Sequence, residues 1–134
     1  MESINNSDTD PVVYLLADSF LGNLNLRMNL QDCGINDIVS MVNREHLMQA
    51  LDHQPDIILI DAALNDPEIP YMILEIKARV PKACIVFLID HEDHMEIINL
   101  LRFGAFEFAT KDMFFGQKIA RIINTVIQLK YKTD

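Results

Sequence analysis

At 134 residues, half of them hydrophobic and 23% charged, the chain has the size and composition of one globular domain that can bury a core without disulfide or metal staples. A formal net charge of −9 repels phosphate backbones and anionic lipid surfaces, which argues against direct nucleic-acid or membrane binding and for protein partners. Cys33 and Cys84 have no C-x-x-C spacing, the N-terminus has no basic region followed by an apolar run, and no apolar stretch approaches the ~18 residues of a membrane span. Reduced, semi-buried thiols in a cytoplasmic protein are therefore expected.

Residues 1–10 are polar and read as a loose leader, and residues 11–134 as the folded domain. Pro11 to Ala17 is a continuous apolar run ending at Asp18, which suits a strand buried on both faces. From Ser19, an N-cap candidate, Phe20, Leu21, Leu24, Leu26, Met28 and Leu30 carry a helix that stops at Cys33-Gly34. A second strand spans Asp37 to Val42, followed by a short helix with Leu47, Ala50 and Leu51 on one face and closed by Gln54-Pro55. The most apolar strand, Asp56-Ile-Ile-Leu-Ile-Asp61, leads through a turn-rich segment ending at Pro70 into a helix over about Tyr71 to Val80, with Ile73, Leu74 and Ile76.

The fourth strand is Ala83 to Ile89, and the helix after it carries Met95, Ile97, Ile98, Leu100 and Leu101, with acidic residues in its first turn to complement the helix dipole. Phe106 to Thr110 is the fifth strand, and the last helix, about Met113 to Tyr131, places Phe115, Ile119, Ile122, Ile123 and Val126 at core spacing. Five strand-helix units with short turns predict a parallel sheet covered by helices on both faces, with ligand chemistry at the strands' carboxyl ends. No internal repeat, long linker or second core interrupts this order, so output is expected from a surface of this domain or from another chain.

Asp18, Asp61 and Lys111 end the first, third and fifth strands, which brings two carboxylates and an ammonium to one edge. Any one of them alone reads as a loop residue solvating a strand end; three together point to a site.

From Val12 to about Lys130, order and spacing resemble the receiver domain of response regulators, a (βα)5 flavodoxin-like fold with strand order 2-1-3-4-5. The resemblance implies that Asp61 is the phosphoacceptor, attacking as a carboxylate nucleophile a phosphoryl group donated by a histidine kinase or phosphotransfer protein. It further implies that Asp18, Asp61 and the backbone carbonyl of Ala63 hold Mg²⁺, a hard cation suited to oxygen ligands, and that Lys111 contacts the phosphoryl oxygens or, before phosphorylation, the aspartate. A signalling role without enzymatic activity of its own follows from it.

Several positions depart from the family pattern. Ala17 stands where receivers carry the first of two adjacent acids, so Mg²⁺ affinity should fall. Ile89 replaces the hydroxyl residue that hydrogen-bonds the phosphoryl group; a hydrogen bond to a charged group contributes about 1.5–3 kcal/mol, one to two decades in stabilising the phosphorylated state. Phe108 matches the aromatic residue that reorients with that hydroxyl, and Ile89 would occupy part of the space it turns into. Asp112 stands where proline is common, and the turn after the phosphoacceptor lacks its usual glycine. Asp90 and Asp112 either bring compensating negative charge to the rim or are solvated loop carboxylates; solvation is the favoured reading. These departures support, level with ordinary phosphotransfer, a pseudo-receiver that acts through phosphorylation-independent protein contacts.

Other chemistries fit less well. A phosphatase of the haloacid dehalogenase type needs an acid two residues past its nucleophile, where Asp61-Ala62-Ala63 offers alanine. None of Gly22, Gly34, Gly104 and Gly116 forms a phosphate-binding loop. His91 and His94, near Asp90 and Asp93, have metal-like spacing but no second cluster. In the fourth helix Ile98 and Leu101, with Ala105, can face the sheet while Ile97 and Leu100 lie off it; Ala120, Ile127 and Tyr131 widen the last helix, and both helices read equally as wide core-facing stripes or as a partner surface. Receivers use the face of the fourth helix, fifth strand and fifth helix for dimerisation or output, so a homodimer or partner contact is expected there.

Overall fold

The computed structural model describes residues 11–17, 19–61, 66–90 and 93–132, with side chains through Leu129. The expected leader, Asp18, Ala63 and His91 lie outside the described residues. Five strands alternate with helices: β1 (Val13–Ala17), α1 (Phe20–Asp32), β2 (Ile38–Met41), α2 (Arg44–Ala50), β3 (Ile57–Asp61), α3 (Ile69–Arg79), β4 (Cys84–Ile89), α4 (His94–Phe103), β5 (Glu107–Thr110) and α5 (Phe115–Lys132). All pairings are parallel and the order is β2-β1-β3-β4-β5, as expected.

The alternation of side chains along each strand splits the core into two layers. Tyr14, Leu16, Ile58, Ile60, Ile85, Phe87, Ile89 and Phe108 face α2, α3 and α4. Val13, Leu15, Ile57, Leu59, Val86, Leu88 and Ala109 face α1 and α5. Burial on both faces explains why β1, β3 and β4 are unbroken apolar runs. Helix starts follow local chemistry: the side chains of Ser19, Asn43 and Asp93 accept the backbone N–H groups of Gly22, His46 and Glu96. Helix α1 terminates before Gly34, whose φ of +89° favours a residue without Cβ. Gly116 serves a different purpose: a Cβ there would stand 2.5 Å from Cys33 Sγ, so glycine lets α5 approach α1.

Two expected faces are corrected. In α1 the buried stripe is Asn23, Leu26 and Leu30, leaving Phe20, Leu21, Leu24 and Met28 exposed. In α4 it is Leu100 that is buried, with Ile97 and Phe103 packed beside it, whereas Ile98 and Leu101 are exposed. Apolar residues at 97, 98, 100 and 101 offer two stripes at the same spacing, of which the one with Ile97 and Leu100 packs against the core. Ile127 packs against the α1/α5 layer, as a wide core-facing stripe on α5 would have it. Helix α3 also starts earlier than expected, at Ile69, with Pro70 in the first turn where a missing N–H costs nothing. Cys84 is half-buried as expected and burial pushes its thiol pKa up, but Cys33 is exposed.

Candidate functional site at the carboxyl edge of the sheet

The chain leaves β1 toward β2 on one side and later returns to β3 on the other, so the carboxyl ends of β1 and β3 flank a topological switch point. Asp61, the last residue of β3, is in register with Ala17 of β1 and with Leu88 of β4. Its side chain is 24% exposed, so the carboxylate lies at the mouth of the core.

Lys111 arrives from the opposite side of β4. Its backbone N–H donates to the Ile89 carbonyl at 2.8 Å, one step beyond the Ile89–Thr110 pair of the β4–β5 ladder. From there the ammonium donates to Asp61 Oδ1 at 2.7 Å and stands 3.2 Å from Asp90 Oδ1. Burial works against the charged lysine, but the hydrogen bond and charge of Asp61, followed by those of Asp90, outweigh it and raise the Lys111 pKa. The expected Asp61–Lys111 pairing is therefore present. Asp90 is solvated as expected, its side chain 79% exposed, and is also an ion-pair partner of Lys111. Asp112 plays another role: its Oδ1 accepts the Phe114 N–H at 2.9 Å and closes the turn into α5.

Two supports were not found by reading the sequence. Asn23, buried on α1, donates from Nδ2 to the carbonyls of Met41 at 3.0 Å and Ala17 at 3.4 Å, tying together the carboxyl ends of β2 and β1. A polar residue in the 23-26-30 core stripe is the signal that could have found it. On the other flank, Asp66 accepts the Glu68 N–H at 2.9 Å and pairs with Arg44 of α2, and these contacts lower its carboxyl pKa. That clamp holds the entry to α3, where the family pattern has a glycine-containing turn.

Next to this charged group the edge is apolar. Ile89 is buried, and Phe108 stacks on Phe87 with ring centroids 5.6 Å apart and 22° between planes. All three belong to the α2/α3/α4 layer, so the position that would offer a hydroxyl is filled by hydrocarbon and the aromatic ring of β5 is turned inward.

Among the described residues no group of three or more His, Cys, Asp or Glu is arranged to hold a metal ion. Of the expected Mg²⁺ ligands only Asp61 is described, and its carboxylate oxygens are of the type such a cation takes. No helix among the described residues is long and apolar enough to cross a membrane.

No family model matches the chain, and no curated protein matches it significantly. Solved structures do. A response regulator receiver domain protein from Clostridium thermocellum superposes with a TM-score of 0.78 at 20% identity, covering 92% of this chain and 99% of that one. A response regulator from Thermotoga maritima gives a TM-score of 0.73 at 21% identity, over 86% and 98% of the two chains. A pilus assembly-related protein from Burkholderia pseudomallei K96243 gives 0.75 at 15% identity, over 90% and 91%. The chain has the fold of response regulator receiver domains, the five-stranded flavodoxin-like architecture expected from its sequence.

Proposed function

We propose that the chain is a receiver domain in two-component signal transduction, located in the cytoplasm, that accepts a phosphoryl group on Asp61 from a histidine kinase or phosphotransfer protein and couples it only weakly to its surface. The observation supporting this most strongly is a half-buried carboxylate at the switch point, hydrogen-bonded at 2.7 Å by a lysine from β5. In the transfer, an Asp61 carboxylate oxygen forms a bond to phosphorus as the phosphorus–nitrogen bond of a phosphohistidine breaks, and the imidazole leaves with the bonding electron pair. Lys111 supplies a positive charge beside the new phosphoryl oxygens. Mg²⁺, held by Asp61 with Asp18 and the Ala63 carbonyl, would screen the anionic charge that gathers there. Asp61 acts as an acceptor; the donor protein brings the group to be transferred, and the chain needs no catalytic activity on a third substrate.

Ile89 favours a second reading as well. With no hydroxyl at the end of β4 and Phe108 stacked inside, the chain would act as a phosphorylation-independent interaction or dimerisation module, using the face of α4, β5 and α5 where Ile98, Leu101 and Phe106 are exposed.

Incubation with acetyl phosphate and Mg²⁺, followed by intact-mass measurement, separates the two. Wild type is expected to gain one phosphoryl group and Asp61→Ala none. An unmodified wild type would leave the interaction module as the function.

A further inference from the structure

Lys111 has two carboxylates within ion-pair distance, and they differ in kind. Asp61 is fixed at the end of a central strand, whereas Asp90 directly follows β4 and is largely in solvent. An ammonium has three donors and can hold both carboxylates in the resting molecule. A phosphoryl anion arriving on Asp61 requires those same donors, and it meets a negative charge at Asp90 that is already attached to the lysine.

We propose that Asp90 is a competing anchor for Lys111, a positioning residue that restrains the ammonium at rest and opposes the arrival of an anionic group at Asp61. The phosphoryl part of this inference rests on the function proposed above; the shared lysine does not. The neighbouring Asp112 provides an internal contrast, since its carboxylate is engaged by the Phe114 N–H. Removing Asp90 or Asp112 changes net charge equally, but only Asp90 is bound to the lysine. Because Asp90 is exposed, water screens its effect and a few-fold change is expected.

The test uses the full chain as wild type, Asp90→Asn and Asp112→Asn. The side-chain NMR signals of Lys111 are recorded first without additives, followed by titration with beryllofluoride in saturating Mg²⁺. Asp90→Asn should displace the Lys111 signals and tighten beryllofluoride binding about threefold, while Asp112→Asn should do neither. Unmoved Lys111 signals in Asp90→Asn would overturn the anchor. So would a responsive wild type whose affinity is unchanged or weakened by Asp90→Asn, or an equal gain from Asp112→Asn. If wild type ignores beryllofluoride, the phosphoacceptor reading fails instead, and displaced Lys111 signals would still support the shared lysine.

Discussion

At the carboxyl edge of the sheet, β3 and β5 end differently from the strand between them. Asp61 and Lys111 reach across to form a charged pair, whereas β4 ends in Ile89, with Phe87 and Phe108 stacked behind it. The backbone explains how both arrangements coexist: the Ile89 carbonyl accepts the Lys111 N–H, so β4 positions the lysine without using its side chain. A carboxylate can thus be held ready for chemistry while the neighbouring side chain, which would report that chemistry to the surface, is committed to the core. Under the proposed function, accepting a group and signalling that it has been accepted would be physically separable at this edge.

The largest effect is expected from giving the apolar half a hydroxyl. Ile89→Thr removes buried hydrocarbon and introduces a polar group into a packed layer, which should cost about 2 kcal/mol in urea unfolding. The same change should extend the lifetime of the phosphorylated or beryllofluoride-bound state by about one to two decades, the worth of a hydrogen bond to a charged group. A stability loss with no gain in lifetime would mean that the new hydroxyl does not reach the anion.

A smaller effect is expected from the charged half. Lys111→Met should destabilise the fold by about 1 kcal/mol, since it leaves Asp61 without its charged partner at a partly buried position. The lysine's pKa is raised on folding, so its contribution is fully present below the ordinary lysine pKa and disappears as pH rises through the higher folded value. Wild type and Lys111→Met should therefore differ by a constant amount at neutral pH and converge in strongly alkaline solution. A difference that grows with alkalinity would contradict the ion pair.

The fold was legible because parallel strands buried on both faces leave unmistakable apolar runs, and because Ser19 and Gly34 mark helix boundaries through local chemistry. Their places at strand ends brought Asp61 and Lys111 to one edge, and their pairing was implied by the resemblance to receiver domains. Helix faces were less legible. In α4 two apolar stripes share one spacing, and in α1 the stripe that packs includes an asparagine while Phe20 and Leu21 remain outside. Asp90 is solvated as expected, but its ion pair with Lys111 was not legible: the partner of a loop carboxylate is set by a lysine that another strand delivers, and nothing in the residues around it encodes that encounter. Asp18 and Ala63 lie outside the described residues, so the Mg²⁺ set remains part of the proposal.

The separation between accepting and signalling is tested most directly by NMR on one sample titrated with beryllofluoride and Mg²⁺, following Lys111 and the aromatic ring of Phe108 together. The Lys111 signals should shift with saturation while those of the Phe108 ring hardly move. A Phe108 response as large as that of Lys111 would show that the edge switches despite Ile89, and silence at both would remove Asp61 as an acceptor.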